Sequence, residues 1–318
     1  MELYLEALGF TANIVVPIFF IVFLGYQLRR LNIIDAGFVN VSSKLVFTVT
    51  LPALVFMSIA QMDFHAVFNP SQLGYVILGT LFTYAIIWWL AARWIKDPAD
   101  LGAFIQGSFR SNYGIIGLAV SFNLFGQSGL AQASLLLALV IPLYNLLAIL
   151  CLTLPLRRSQ SVSLFSTILE VAKNPLIIAV ILALPISYFG LRLPDVVSTT
   201  GRYFANLTLP LALLAIGGTL NMKSLRDSSK QAFWATSTKL ILLPLLLTLG
   251  AWFVGFRGQE LTIMMVLFAC PTAAASFVMA KTMGANAELT ANIILTTTLG
   301  SVFTLSLAIY SATLLGWV

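Results

Sequence analysis

The chain has 318 residues, of which 59% are hydrophobic and 9% are charged, and its formal net charge is +6. A water-soluble domain carries roughly 25% charged residues, and the mean hydropathy of this chain is +0.98. This composition excludes a soluble globular protein and predicts a multi-pass membrane protein. The basic residues are spread over several links between apolar segments, which argues against a nucleic-acid-binding face.

Ten apolar segments are long enough to cross a bilayer as helices. In chain order, the predicted spans are residues 8–28, 38–60, 71–95, 102–125, 130–154, 174–191, 203–222, 231–254, 260–283 and 288–315. Just before the sixth span, residues 164–172 combine an apolar stripe with polar neighbours. This pattern favours an amphipathic helix at the membrane interface.

The second half of the sequence repeats the first after 158 residues. Pro17 recurs as Pro175, and the Thr-Leu-Pro segment at 50–52 recurs at 208–210, so the prolines of each half are 35 residues apart. Each copy holds five predicted spans, and an odd number requires the second copy to enter the membrane in the opposite orientation. Inverted repeats of this kind are a recurrent architecture of alternating-access transporters.

The repeat predicts an all-α membrane protein of ten transmembrane helices in two inverted five-helix units. We expect residues 1–156 to form the first repeat, 157–163 a cytoplasmic linker and 164–318 the second repeat. The links after odd-numbered spans carry eleven basic residues, against three on the other side: Arg192, Arg202 and Arg257. By the positive-inside rule the odd links are cytoplasmic, so both termini are extracytoplasmic.

Two of the predicted spans contain residues that interrupt helices. The fourth reads RSNYGIIG at 110–117, where an ordinary membrane helix would carry Leu or Val. The ninth contains Pro271, which removes a backbone donor and frees the carbonyl one turn earlier. Asn112 and Pro271 lie 159 residues apart, so the interruptions occupy equivalent places in the repeat. Paired interruptions near the membrane midplane indicate a transporter binding site.

The interrupted spans predict a site for an anion. Where a helix is broken, its second half begins with unpaired N–H groups and a partial positive charge. Two such ends directed at one place would bind an anion. We expect the substrate-binding residues to come from both interruptions and from the second span: Asn112, Tyr113, Gly114, Arg110, Pro271, Thr272, Ser276, Thr50 and Pro52.

The roles expected of these residues differ. Asn112 and Tyr113 would contact the ligand directly, and Gly114 would permit the unwinding. Arg110 either pairs with the anion through its planar fork or extends along the span to the cytoplasmic interface. Pro52 either lines the cavity or only kinks the second span.

Metal, cofactor and enzyme chemistry have little support in the sequence. The chain has one histidine, His65, and two cysteines, Cys151 and Cys270, which both fall in predicted spans. Without a His/Cys cluster we expect no protein-built metal site and no cofactor. Without a nucleophile–base pair we do not expect an enzyme.

The interrupted segments resemble those of a known family. The RSNYGIIG stretch at 110–117 is similar to the fourth-span signature of the auxin efflux carrier family, as are residues 270–280 and the Thr-Leu-Pro segments at 50–52 and 208–210. That family includes the plant PIN exporters and bacterial transporters of malonate or other organic anions. The resemblance covers essentially the whole chain.

The resemblance implies a ten-span fold related to bile-acid/sodium symporters and sodium/proton antiporters. It also implies a scaffold part and a transport part whose broken helices cross at the substrate. Asn112 matches the Asn of the family's fourth-span motif, and Pro271 and Ser276 fall in its ninth-span motif. Ala119 stands where members often have Pro, and Ser276 where plant exporters have a second Pro. We therefore expect the first break to rest on the two glycines of the RSNYGIIG stretch.

We predict a secondary carrier of small organic anions, carboxylates in particular, working by alternating access in the bacterial inner membrane. Net efflux is favoured, because moving one anion outward gains about 2.3 kcal/mol per 100 mV of membrane potential. A sodium-coupled symporter of the bile-acid type and a non-transporting membrane sensor are the alternatives. The expected partners are the anion and the lipid bilayer, while coupling to Na+ or H+ and formation of a homodimer stay open.

Overall fold

The computed structural model describes residues 2–156, 175–220 and 230–317. In these ranges every regular element is a helix, and extended chain pairs only in one isolated antiparallel bridge. The predicted linker at 157–163 and the predicted interface helix at 164–172 lie outside the described residues.

Two helices in the first half of the chain begin with a capping residue followed by a proline. Asn69 and Asp97 each accept hydrogen bonds from backbone N–H groups of the turn that follows them, and a proline occupies the first helical position after each. The helices of this half are α1 (Glu2–Arg30), α2 (Ala36–Leu45), a π turn (Val46–Thr50), α3 (Leu51–Ala60), α4 (Phe64–Val67), α5 (Pro70–Trp94), α6 (Pro98–Phe109), a second π turn (Tyr113–Gly117) and α7 (Leu118–Thr153).

The helices of the second half have different ends. It contains α8 (Pro175–Tyr188), α9 (Asp195–Thr219), α10 (Lys230–Ser237), a π turn (Thr238–Leu242), α11 (Leu243–Val254), α12 (Gly258–Ala269), α13 (Ala275–Met283) and α14 (Ala287–Leu314). Gly284 ends α13 with a φ of 77°, in the left-handed region that suits glycine. Asn286 then caps α14 by accepting a hydrogen bond from the Leu289 N–H over 2.9 Å.

The fold is that of an all-helical, multi-pass membrane protein. Within the described residues, six helical stretches are long and apolar enough to cross a membrane: Tyr4–Arg30, Ala36–Ala60, Pro70–Trp94, Tyr113–Thr153, Lys230–Val254 and Ala287–Leu314. The shorter helices α8 and α12 are also apolar. The third and eighth predicted spans agree with these helices to within one residue at each end. In contrast, α9 begins at Asp195, eight residues before the predicted seventh span.

The predicted fourth and fifth spans are joined by a kink. Inside α7, Gly126 has φ 60° and ψ −140°, values outside the helical region. Glycine adopts such values because it has no Cβ. The link predicted between residues 125 and 130 is thus a change of direction at one glycine, and the fourth span is built from α6, the π turn Tyr113–Gly117 and the first part of α7.

The helices form two packing groups. In the first group α1 packs against α9, and α3 packs against both α8 and α9, with α2 alongside. In the second group α6 packs against α5, α7, α10 and α14, and α12 packs against α7, α11 and α14. The groups meet where α1 contacts α7 and α14 and where α3 contacts α7.

Two glycines let α1 and α9 approach at backbone distance. A Cβ on Gly25 would collide with the carbonyl oxygen of Leu214, and a Cβ on Gly217 would collide with that of Val22. Small residues at the contact are the usual means by which membrane helices pack this closely. The first packing group is therefore held together by direct backbone contact.

Candidate functional site

The two interrupted segments meet inside the protein. Residues 110–112, between α6 and its π turn, lie beside residues 270–274, between α12 and α13, and we call these residues the crossing. Ser111 and Thr272 face each other in the antiparallel bridge and are both buried. Because the pairing is antiparallel, α6 and α12 run towards the crossing from opposite directions. The expectation that the two interruptions come together is confirmed.

Two backbone hydrogen bonds flank this bridge. The Asn112 N–H donates to the Pro271 carbonyl oxygen over 2.7 Å, and the Ala273 N–H donates to the Arg110 carbonyl oxygen over 3.2 Å. A break in a buried membrane helix would otherwise leave such groups unpaired, at a cost of several kcal/mol for each group. Each interruption therefore satisfies backbone groups that the other exposes.

The two segments leave the helix for different reasons. At Cys270 the backbone is extended, with ψ 144°, as is usual for a residue before proline, and Pro271 has no N–H to continue the helix. Arg110 is also extended, with ψ 113°, although no proline follows it. There the extended backbone is stabilised by its pairing with the second interruption.

The first break lies at residues 110–112 and does not rest on the two glycines expected to carry it. Gly114 and Gly117, the two glycines expected to carry it, both fall in the helical π turn Tyr113–Gly117, and neither has a positive φ. That prediction is wrong, because the residues that leave the helix are those that pair with the second interruption. Space explains Gly117 instead, since a Cβ there would collide with the ring of Tyr113, a buried side chain.

Thr272 ties the crossing to two further helices. Its hydroxyl donates over 2.6 Å to the Gly107 carbonyl oxygen, which the end of α6 leaves without a helical partner. Its N–H donates over 3.1 Å to the hydroxyl oxygen of Thr297 on α14. Thr272 is fully buried, so losing either bond would leave a buried polar group unpaired.

Arg110 is buried beside the crossing and bonds to neutral partners. Its side chain is 8% exposed. The guanidinium donates to Asn145 Oδ1 on α7 over 2.8 Å and to the Met279 sulfur on α13 over 2.7 Å. Extension of the side chain to the membrane interface is therefore not observed. A guanidinium has five N–H donors, so it retains donors for a further acceptor.

A second buried cation, which is not among the predicted site residues, contacts the crossing from the π turn Thr238–Leu242. The fully buried Lys239 donates through its ammonium to the Ser111 hydroxyl oxygen over 2.6 Å and to the Phe268 carbonyl oxygen over 2.7 Å. Successive side chains of extended backbone point to opposite sides. The Arg110 side chain therefore lies on one side of this segment, and the Ser111 side chain lies on the other, together with the ammonium of Lys239.

Asn112 and Ser276 offer unpaired polar groups. Within the described part of the chain, the side-chain amide of Asn112 makes no hydrogen bond, and the residue is 7% exposed. Ser276, in the first turn of α13, is fully buried, and its hydroxyl also lacks a partner among the described residues. An unpaired buried polar group costs about 1–3 kcal/mol, so these two side chains are candidate partners for a ligand or for water.

The accessible residues next to the crossing lie at the start of two helical stretches. Gly114, Ala274 and Ala275 are partly exposed, whereas Ser111 and Thr272 are buried. Gly114 lies in the first turn of the stretch 113–153, and Ala274 directly precedes α13. The first N–H groups of a helix have no acceptor in their own helix and carry partial positive charge. The surface open to a ligand is therefore suited to an anion.

The second span approaches Gly114 through Leu51, which stands between its two predicted site residues. The Leu51 side chain lies 3.8 Å from where a Cβ on Gly114 would stand. Thr50, directly before it, is fully buried, and its hydroxyl has no partner among the described residues. Pro52 instead lines an apolar groove whose walls, as far as the structure describes them, come from α3, α8 and α9.

Two carboxylates at the far ends of the interrupted helices are held by amides. Asp100, in the first turn of α6, accepts hydrogen bonds from Asn286 Nδ2 over 2.7 Å and from Gln231 Nε2 over 3.1 Å. Glu260, in the first turn of α12, accepts one from Asn69 Nδ2 over 2.8 Å. The ten residues from Asp100 to the crossing span about 15 Å of helix. Asp100 is therefore too distant to neutralise the cations there.

Comparison with known proteins identifies the family. A family model described as membrane transport protein matches residues 10–309, nearly the whole chain. The chain belongs to the auxin efflux carrier family. It is therefore a multi-pass membrane transporter, and the RSNYGIIG stretch that resembles the family signature forms one side of the crossing.

Sequence alignments with related proteins cover most of the chain. It is 26% identical over 283 residues to the uncharacterized transporter YfdV of Escherichia coli K12, which covers 86% of this chain and 88% of the relative. It is 23% identical over 302 residues to the uncharacterized transporter MJ1031 of Methanocaldococcus jannaschii, with 93% and 96% covered. An uncharacterized transporter of Methanothermobacter thermautotrophicus is 22% identical over 295 residues. These names indicate transport and specify no substrate.

Some residues of the transporter's crossing could not be found by sequence reasoning. Asn145 and Met279 come from helices remote in sequence, and no local pattern links either of them to Arg110. Lys239 did carry a signal, because it lies eight residues into the predicted eighth span, as Arg110 lies eight residues into the fourth. A basic residue at that depth of a membrane helix is unusual.

Proposed function

We propose that the transporter is a secondary carrier of small organic anions, carboxylates in particular, that works by alternating access. The observation that carries this proposal is the crossing, where two interrupted helices pair beside two buried cations that have neutral partners. Broken helices near the membrane midplane form the substrate sites of many secondary transporters. The chemistry of this crossing favours a negative substrate.

The charge balance supports an anion. Arg110 and Lys239 bring two positive charges into the protein interior, and the partners that the structure gives them are an amide, a sulfur, a hydroxyl and a carbonyl. A basic residue at the centre of a membrane helix costs about 2.5–3.5 kcal/mol on insertion scales. A bound carboxylate would offset part of this cost, and the guanidinium of Arg110 is the better suited of the two to pair with it.

Hydrogen bonding supplies the remaining contacts of the proposed site. A carboxylate in front of Gly114 and Ala274 would face the starts of both helical stretches, where the partial positive charge favours an anion. The Asn112 amide and the Ser276 hydroxyl are unpaired and would bind the same ligand. Of the other predicted residues, Pro271 and Thr272 shape the second interrupted segment, whereas Tyr113 and Thr50 are buried.

We also propose the inverted-repeat architecture, with 1–156 and 164–318 as the two five-helix units of a ten-span fold. Gly126 and Gly284 lie 158 residues apart, and both have a positive φ, of 60° and 77°. Asp100 and Glu260 both open an interrupted helix and both accept a hydrogen bond from an asparagine amide. These matched details support two copies of one design.

Alternating access would arise from movement between the two packing groups. The first group, built on α1, α3, α8 and α9, contacts the group that holds the crossing mainly through α7 and α14. Sliding along this boundary would open the crossing to each side of the membrane in turn. With odd-numbered links in the cytoplasm, the membrane potential would favour export of the anion from the cell.

Transport in proteoliposomes tests the proposal. A thermal-shift screen of monocarboxylates, dicarboxylates and indole acids selects ligands, and radiolabelled uptake then measures their flux in wild type and in Asn112→Ala. We expect saturable flux of at least one carboxylate and a loss of that flux in Asn112→Ala. The matched control is Asn206→Ala, which removes an exposed amide on α9.

The opposite outcomes are distinct. Flux that rises linearly with carboxylate concentration would indicate a channel instead of a carrier. Ligand binding without flux in correctly folded protein would favour the membrane sensor. Saturable flux of neutral or cationic compounds alone would contradict the assignment of anions.

A further inference from the structure

Lys239 adds positive charge near the proposed anion site, and its two hydrogen bonds hold the ammonium between the interrupted segments. The residue is fully buried, although lysine is among the residues least often buried. Its two acceptors, the Ser111 hydroxyl at 2.6 Å and the Phe268 carbonyl at 2.7 Å, belong to the two different interrupted segments. A single ammonium therefore bridges both sides of the crossing.

The Phe268 carbonyl is free to bind this ammonium because the helix is broken. In a continuous helix it would accept a hydrogen bond from the N–H of residue 272. That N–H donates instead to the Thr297 hydroxyl over 3.1 Å. The carbonyl is also at the C-terminal end of α12, where the helix dipole is negative and favours a cation.

A hydroxyl oxygen and a carbonyl freed at a helix break form the kind of ligand set that binds Na+ in transporters with discontinuous helices. Here the tethered ammonium occupies that set. Unlike a metal ion, it cannot dissociate from the protein during transport. A sodium ion brought to the same oxygens would also be repelled by the ammonium.

We infer that Lys239 is a built-in cation that takes the place of a bound sodium ion at the crossing, so the transporter needs no Na+. The consequence for transport rests on the proposed carrier function, whereas the cation site rests on the contacts of Lys239 alone. Removing the ammonium should therefore convert the same oxygens into a site for an external monovalent cation.

Binding of radioactive Na+ to the detergent-purified protein tests this inference without any anion. We compare wild type with Lys239→Ser, which removes the ammonium and leaves a hydroxyl. Lys230→Ser is the matched control, because it removes an exposed lysine at the start of α10. Wild type and the control should show no saturable Na+ binding. Lys239→Ser should gain saturable binding that methylammonium competes away.

Thermal stability gives a second reading that a purely structural lysine would not produce. The melting temperature of Lys239→Ser should rise by several degrees in NaCl or methylammonium chloride relative to choline chloride. The melting temperature of wild type should be the same in all three salts. If Lys239→Ser folds only when NaCl or methylammonium chloride is present during extraction, that rescue also supports the inference.

Saturable Na+ binding by wild type would overturn the inference. So would a folded Lys239→Ser that binds no Na+ and melts at the same temperature in all three salts. If Lys239→Ser folds in none of the three salts, the inference is judged on Na+ binding by wild type alone. A transporter that passes these tests but carries no anion would contradict the proposed function and leave the cation site intact.

Discussion

The Asn112 N–H lies 2.7 Å from the Pro271 carbonyl oxygen, and this bond joins residues 159 positions apart in the chain. Each residue belongs to a segment that leaves its helix inside the protein. The site is therefore a joint product of both halves of the sequence, and a change in either segment should be detected at the other.

Asn112→Ala should weaken carboxylate binding by about 1–3 kcal/mol, because a ligand group would lose its partner in a buried place. The backbone bond to Pro271 does not involve the side chain, so the fold should persist. Titration calorimetry with the best carboxylate measures the loss, and Asn206→Ala should bind as wild type does. Unchanged affinity in folded Asn112→Ala would remove this residue from the site.

Arg110 can be tested by separating its charge from its shape. Arg110→Gln removes the charge and should weaken carboxylate binding at least tenfold, about 1.4 kcal/mol. Arg110→Lys keeps the charge but loses the planar fork, so its affinity should fall between those of Arg110→Gln and wild type. Lys281→Gln, at an exposed lysine of α13, is the control. Equal affinities in all four proteins would assign Arg110 a structural role only.

Thr272→Val should destabilise the protein by about 1–3 kcal/mol, because the Gly107 carbonyl oxygen loses its donor in a buried place. The two side chains are similar in size, so packing should change little. Thermal unfolding measures the effect. The control is Thr282→Val on α13, whose hydroxyl is exposed and bonds within its own helix. Equal melting temperatures for the two variants would show that the bond at the crossing contributes nothing measurable.

Gly217→Ala should separate α1 from α9, because the new Cβ would collide with the Val22 carbonyl oxygen. We expect a marked loss of folded protein on size-exclusion chromatography. Gly9→Ala in α1 should be neutral or slightly stabilising, since a Cβ there meets nothing within 4 Å and alanine is the better helix former. A well-folded Gly217→Ala would contradict the close approach of these helices.

Asp100 and Asn286 should be energetically coupled. Their side chains bond over 2.7 Å, and Asn286 also caps α14. A double-mutant cycle of Asp100→Ala and Asn286→Ala should give a coupling of about 0.5–3 kcal/mol in thermal unfolding. Asn286→Ala should lose roughly 1 kcal/mol more than the coupling accounts for, because the cap is lost. Additive effects would show that this carboxylate is not held by the amide.

The overall character of the fold follows from the sequence because membrane spans are marked by long apolar runs. The helices Pro70–Trp94 and Lys230–Val254 match their predicted edges closely. The break at Pro271 is predictable from the sequence, since proline restricts its own backbone and that of the residue before it. The first break was wrongly attributed to two glycines because its cause is not local. Residues 110–112 are extended through pairing with a segment far along the chain, and no glycine near them determines it.

In the candidate site, too, local sequence signals predict some residues, whereas contacts made by packing are not visible in the sequence. Arg110 and Asn112 were predicted because polar residues are conspicuous in an apolar span. The partners Asn145 and Met279 depend on how α7 and α13 pack, which the sequence does not display. Lys239 was not predicted, although it lies as deep in its span as Arg110 does, and its significance depends on Ser111 and Phe268, which only the folded chain brings within reach.

Protection of a cysteine at residue 274 tests most directly whether the crossing is the anion site. Ala274 is partly exposed, whereas both native cysteines are buried and should not react. The labelling rate of Ala274→Cys with a charged thiol reagent is measured in proteoliposomes, from each side, with and without saturating carboxylate. We predict labelling from both sides and a slowing of about tenfold or more by the carboxylate, as expected when a ligand covers the thiol at ten times its Kd. The exposed control Thr282→Cys should be unaffected. Labelling of Ala274→Cys that a bound carboxylate leaves unchanged would contradict the account.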